Sequence, residues 1–296
     1  RFPIPLNPFL WDARTLSIIK NIRLPRILLS CLVGASLSAV GVTFQSIFKN
    51  PMAAPDLLGA SAGSAFGASI AIMLRLPAAG ITGLAFCTGL VTIMMVMTIG
   101  SHAKGDKLTS LILAGIIISS LFSAGTSCIK LVADPTDQFP AITYWLMGSV
   151  SSTVLKDAAH ISIPIGIGLV LIFFLKNQLD ALTLDEDEAL SIGVNTTRMR
   201  IIFLLLATLV TAASVAVSGN ISWVGLVIPH IVRRITGNRN RILVPASILF
   251  GAFFLLMIDN LSRTLFTTEI PLGILTSFIG APVFMTLIIS KRQDPK

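Results

Sequence analysis

The chain has 296 residues, 54% of them hydrophobic and 12% charged, and its 22 basic and 14 acidic side chains leave a formal charge of +8. A soluble domain carries roughly a quarter charged residues, so about half the usual supply of charged side chains is present. These values exclude a soluble enzyme, a nucleic-acid-binding domain and a disordered tail. They leave an all-α fold class, a polytopic transmembrane helical bundle.

The first 20 residues hold Pro3, Pro5, Pro8 and Asp12 instead of an apolar run, so no signal peptide is read there. A crossing helix needs about 20 residues. Apolar runs predict nine spans, at Leu24–Phe44, Leu57–Leu74, Pro77–Ile99, Leu108–Ala133, Ala158–Leu175, Ile201–Val217, Val224–Ile235, Ile242–Leu261 and Leu272–Ile289. Val224–Ile235 is short and carries Pro229. Ala141–Val150 is too short to cross and suits a re-entrant or interfacial helix. Cys31, Cys87 and Cys128 are scattered in apolar runs without metal-ligand spacing and read as small core residues.

Lys and Arg in the loops set the orientation. With the carboxyl end cytoplasmic, thirteen basic residues fall inside and four outside (Arg75, Lys130, Lys156 and Arg263), with five more before the first span. An odd number of spans places those five outside, against the charge rule, and a further span upstream would reconcile them. Lys20, Arg23 and Arg26 read either as headgroup anchors or as an electropositive docking surface for an acidic partner.

In the inner loop KNPMAAPDLLGASAG, Asn50-Pro51 and Pro55 forbid a continuous helix, and Asp56 is placed to cap the helix that follows. Broken backbone at that depth lines a cavity, although small-residue packing accounts for most of Gly59, Ser61, Gly63, Ser64 and Gly67. On the span from Leu108, Ser119, Ser120, Ser123, Thr126 and Ser127 read equally as small packing residues or as the hydroxyl wall of a pore.

The segment LTLDEDEALSIGVN is the one acidic cluster. Asp185, Glu186, Asp187 and Glu188 open a short helix in accord with its dipole, and Gly193 ends it. Leu182, Leu184, Ala189, Leu190 and Ile192 give it an apolar side outside the bilayer, which a groove in a cytosolic partner would cover. His230 beside Pro229 has no second metal-ligating residue near it in sequence and reads as structural. Asp259 and Arg263 are spaced for a helical pair. In GSHAKGDKLT, Asp106 interrupts a phosphate loop, so ATP is not bound through that motif. An ion-coupled secondary transporter would want ionisable groups deep in several spans, and an intramembrane hydrolase a Ser and His at one depth. Only Asp259 comes near the first pattern, which stands as the alternative reading, and no Ser–His signature of the second is found.

The segments RLPR (23–26), QSIFKNPMAAPDLLGASAG (45–63), YWLMGS (144–149), GNISWVGLVIPHIVR (219–233) and EIPLGILTSFIGAPVF (269–284) together resemble the FecCD-type permeases. These are membrane subunits of ABC importers for ferric siderophores, haem and cobalamin. The resemblance implies a single permease domain over 1–296 in the cytoplasmic membrane, nine visible spans of a ten-span type II importer subunit, with short gate and coupling helices. It also implies a homodimer in lipid, two cytoplasmic ATPase subunits holding ATP and Mg, and an extracytoplasmic substrate-binding protein. No cofactor, metal or catalytic residue is assigned to this chain, and no nucleic acid.

By the same resemblance, Arg23, Arg26 and Arg263 receive carboxylates of the binding protein, and Ala141–Val150 is an outer-gate helix. Asn50, Met52, Leu108 and Thr109 match inner-gate positions, and residues 182–196 match the coupling helices. Asp185 stands where the family usually has Gly, and Leu190 where it often has Arg. The cargo is a metal chelate, with ferric siderophore the first expectation and haem, cobalamin or a metal oxyanion such as molybdate the others.

Overall fold

The computed structural model describes residues 12–103, 106–151, 155–266 and 268–290, with side chains left out at 155–158, 160, 287, 288 and 290. Arg1, Lys104, Lys291, Arg292 and Lys296 of the charge count lie outside the described residues, as does the side chain of Lys156.

Helix α1 (Ala13–Ile18) runs through a π-turn at Ile19–Arg23 into α2 (Leu24–Ile47). A 3-10 turn at Pro55–Leu58 leads to α3 (Ala60–Met73), then α4 (Ala78–His102) and α5 (Lys107–Val132). The short α6 (Gln138–Leu146) precedes α7 (Leu155–Phe174), α8 (Lys176–Ala181), α9 (Glu186–Ser191) and α10 (Thr196–Ser218). The chain closes with α11 (Val224–Thr236), α12 (Asn240–Thr264) and α13 (Leu272–Ser290). Among the described residues there is no strand, as the composition predicts.

Local chemistry fixes the helix starts. The Asp106 side chain accepts the Thr109 amide at 2.8 Å and caps α5, and Asn195 accepts the Arg198 amide at 2.9 Å and caps α10. Pro25 sits in the first turn of α2, directly after the π-turn.

Each of the nine expected spans falls on a helix, yet only five helical stretches among the described residues are long and apolar enough to cross alone: 13–47, α4, α5, α10 and α12. α3 and α11 have 14 and 13 residues, about 20 Å each at 1.5 Å per residue. α3 is shortened because Pro51 and Pro55 deny the helix its upstream turns. Its cap also differs from expectation: Gly59, at φ 77°, occupies the N-cap, and no side chain caps the helix. Asp56 instead lies in the 3-10 turn and accepts the Ser61 hydroxyl.

The core is built around α2, which buries 19 of its 24 residues and packs against α7, α10, α11 and α12. A helix apolar on all sides belongs in such a place. α4 and α5 instead turn apolar side chains outward, including Met94, Leu113, Ile116, Ile117 and Leu121. Cys87 and Cys128 are on exposed faces and Cys31 is half-buried, correcting the expectation of core cysteines; all three are free thiols.

The approach of α2 to α11 is set by Gly41. A Cβ there would lie 1.8 Å from the Gly225 carbonyl oxygen, so only hydrogen fits unless the helices part. Gly41→Ala is expected to destabilise the purified protein by about 1–3 kcal/mol through overpacking. The measurement is its thermal midpoint in detergent, and an unchanged midpoint would show that the two helices separate freely.

Candidate functional site

Three features stand out, one at each end of the bundle and one along its side. At the end carrying α6, Arg26 is 8% exposed although it is charged. Its Nε donates to Asp259 Oδ1 at 2.8 Å, and its Nη1 donates to both Glu269 oxygens at 2.9 and 3.0 Å. The expected helical pair is present, with Arg263 Nη2 3.2 Å from Asp259 Oδ2. Asp259 is fully buried between the two guanidiniums. Burial of one carboxylate is tolerable only with such partners. In the single chain the Arg26 guanidinium is therefore engaged by internal carboxylates, unlike the free cation that the docking reading expects. Arg23, on the π-turn, is exposed, and Arg263 is half-buried.

The same end pins α6. The Leu272 amide donates to the Gly148 carbonyl at 2.8 Å, Gly273 to Met147 at 3.0 Å, and Ser149 to Ser218 at 2.7 Å. The chain that follows Glu269 thus holds the carboxyl end of the short helix. Because Glu269 and Leu272 are so close in the chain, the ion network and the backbone clasp form a single unit.

Along the side of α5 runs a cleft of about 420 Å³. Ser119, Ser123, Thr126, Ser127 and Lys130 line one wall, at the three- and four-residue spacing of a helix face. Asp56, Gly59 and Ser61 line the other, with Leu146 of α6 and Asn220 at one end. Ser120, expected with the other serines, does not line this cleft. It is one residue off the face and points elsewhere, an exposed side chain. Asp56, a helix cap by sequence, belongs to this cleft. The one local signal of that place is the pair of Asn-Pro and Pro breaks around it.

The opposite end carries α8 and α9. Leu182 and Ala189 are buried in the bundle's own core, whereas Leu184, Leu190 and Ile192 are exposed, Leu190 at 58%. The apolar side expected of this segment is therefore split between an anchor and a free face. Asp185 stands before the first turn of α9, which holds Glu186, Asp187 and Glu188. Gly193 at φ 81° ends the segment, and its amide donates to Leu190 at 2.9 Å. The segment is fastened by Lys49, whose Nζ donates to the Leu184 carbonyl at 2.7 Å and lies 3.7 Å from Asp185. Arg200 approaches Glu186 at 3.8 Å, and the Asn240 amide donates to Asp180 at 2.9 Å.

The four expected gate residues lie at two separate positions of this end. Asn50 accepts the Met52 amide at 2.9 Å and forms the turn after α2, leaving Met52 exposed. Leu108 and Thr109 are in the first turn of α5, where the Thr109 hydroxyl donates to Asp106 at 2.6 Å. That hydroxyl, with the Thr109 amide, holds the Asp106 carboxyl below its ordinary pKa. No hydrogen bond joins the two pairs among the described residues. His230 makes an edge contact with the Phe284 ring, 5.8 Å between centroids, and no cluster of metal-ligating residues is found among the described residues.

A polytopic helical bundle with a polar cleft and an anchored helical segment at one end has the form of a membrane transport subunit. A sequence model of the FecCD transport family matches residues 6–290, and the chain belongs to that family. It is 37% identical over 276 residues to the molybdate import system permease protein MolB of Haemophilus influenzae, covering 93% of this chain and 82% of that one. It is 38% identical over 275 residues to a probable iron chelatin transport system permease protein of Helicobacter pylori, covering 93% and 83%. Among solved structures it is similar to an inward-facing conformation assigned to a metal-chelate type ABC transporter, with a TM-score of 0.92 and 36% identity, over 98% of this chain and 92% of that one.

Asp259→Ala removes the shared counter-charge of two guanidiniums. Its expected cost is about 3–5 kcal/mol, that of breaking a buried ion pair, seen as a lowered thermal midpoint and a reduced yield of monodisperse protein. A midpoint equal to the parent's would show that the network contributes nothing.

Proposed function

We propose that the chain is the permease subunit of an ABC importer for a metal chelate, working as a homodimer in the cytoplasmic membrane with its carboxyl end inside. The observation that carries this reading is the free apolar face of the α9 segment. Leu184, Leu190 and Ile192 are exposed beside an acid-led helix whose other side is locked into the core. A short rigid helix offering such a face suits insertion into a groove of a partner, and the family supplies the partner class, a cytoplasmic ATPase.

In this mechanism ATP binding and hydrolysis on two separate subunits move the α9 segments. Lys49, Arg200 and Asp180 transmit the displacement to α2, α10 and α12. The two permease copies then rock between outward and inward openings, with the Ser119–Ser127 wall as the pathway. Asn50, Met52, Leu108 and Thr109 form the inner constriction, and α6 the outer one. An extracytoplasmic binding protein docks by charge on Arg23 and the accessible part of Arg263, which favours encounter and orientation. Ferric siderophore is the first cargo proposed, with haem and cobalamin the other chelates and a metal oxyanion such as molybdate the further alternative.

Two measurements test this. In proteoliposomes holding the complete complex, Leu190→Asp and Glu188→Lys are each expected to lower ATP-driven chelate uptake about tenfold, the scale of a buried interface anchor, while the subunits still co-purify. Full uptake in both variants would remove the α9 segment from the coupling surface.

Arg23→Glu is expected to weaken binding-protein association and flatten its salt dependence. Arg26→Ala, by contrast, should act on thermal stability. Unchanged association in the Arg23 variant would take that residue out of the docking surface.

A further inference from the structure

Among the described residues, two carboxylates of the bundle, Asp259 and Asp56, are treated in opposite ways. Asp259 is shared by Arg26 and Arg263 and buried completely. Asp56 has no ion-pair partner among the described residues, and its one hydrogen-bond donor is the Ser61 hydroxyl. It is exposed to the cleft.

Its depth follows from α5. The Pro55–Gly59 turn is pressed against that helix at Ser119, since a Cβ on Gly59 would lie 2.5 Å from Ser119 Oγ. Ser119 is twelve residues after Lys107 in a 26-residue helix, about 18 Å along an axis of about 39 Å. Asp56 is therefore near the middle of the span. An ionisable group at that depth is costly and is found where it meets a solute or ion. The remaining polar lining is hydroxyls of Ser61, Ser119, Ser123, Thr126 and Ser127 and the Asn220 amide, and the one cation is Lys130. Lys130 stands eleven residues beyond Ser119, about 16 Å away along the helix. Its ammonium also lies over the Phe139 ring at 5.3 Å.

From this we infer that Asp56 is a cargo-contacting group of the translocation cleft. It makes the mid-membrane pathway favour solutes that present a cation or hydrogen-bond donors, and disfavour polyanions. The inference rests on the permease reading and narrows it. The cargo is a metal chelate with a cationic or donor-bearing surface, such as an amine-bearing ferric hydroxamate, and an oxyanion such as molybdate is excluded. An ionised carboxylate offers only acceptors. With no internal cation among the described residues to neutralise it, the ionised form acts on whatever enters, and in a low-dielectric cleft such fields change local ion concentrations tenfold or more.

The test uses the full chain assembled with its ATPase subunits in lipid nanodiscs. Cys31, Cys87 and Cys128 are replaced by Ala, and Ser123→Cys is introduced as a reporter in the cleft. Its reaction rate is measured with a trimethylammonium and with a sulfonate methanethiosulfonate, each normalised to a free thiol. With Asp56 present, the cationic reagent should be favoured by about tenfold or more. Asp56→Asn should bring the ratio to within about twofold of the free thiol, and Asp56→Glu should keep it high.

A ratio near that of the free thiol with Asp56 in place overturns the inference, as does a ratio unmoved by Asp56→Asn or a reporter that reacts with neither reagent. The two readings fail separately. If the charge preference holds but Mg-ATP leaves the rate at position 123 unaltered, the transport mechanism falls and the charged cleft stands. If ATP gates the reporter without any charge preference, the reverse is true.

Discussion

Small residues along α2 are the constraint on which the bundle depends. In lipid no difference in hydrophobicity draws helices together, so association relies on close packing and polar contacts. α2 meets this with Gly34, Ser36, Ser38 and Gly41, all buried. Ser36 shares a hydrogen bond of 2.7 Å with Ser214 of α10. Four helices approach this one closely, and it becomes the post around which the others stand.

The same helix links the two ends of the molecule. At one end Arg26 joins Asp259 and Glu269, and through the following residues the backbone clasp on α6. At the other, Gln45 accepts from Arg233 at 2.9 Å, Ser46 lies 3.3 Å from Asn240 Oδ1, and Lys49 reaches the α9 segment. α2 is thus tied to the short helix α6 at one end and to the α9 segment at the other.

Much of the arrangement is legible in the chain itself. Nine apolar runs mark the nine longer helical stretches from Leu24 onward, because in a bilayer hydropathy outweighs other local preferences and each residue carries its own value. The acidic segment and Gly193 mark α9, because helix ends are set by local groups. The Asp259–Arg263 pair is visible at four-residue spacing. Less is legible at the site. Arg26 looks like a surface cation, since nothing local reveals that Asp259 and Glu269, 233 and 243 positions away, will surround it. Ser120 looks equivalent to its neighbours, since spacing alone does not say which helix face meets a cleft. Asp56 looks like a cap, and it becomes a cleft group because Gly59 takes the cap position.

What the amino-acid order determined by itself is the nine longer helices and the sign of charge in each loop, which rest on interactions within a few residues. What only the tertiary structure decided is which of the described charges pair internally and which do not. Arg26 and Asp259 neutralise each other because α2 and α12 lie side by side. Asp56 stays unpaired because the broken start of α3 holds it against a face of α5 that carries hydroxyls and not a cation at that depth. Electrostatic pairing falls off with distance in space, and distance in space is what a linear chain does not record.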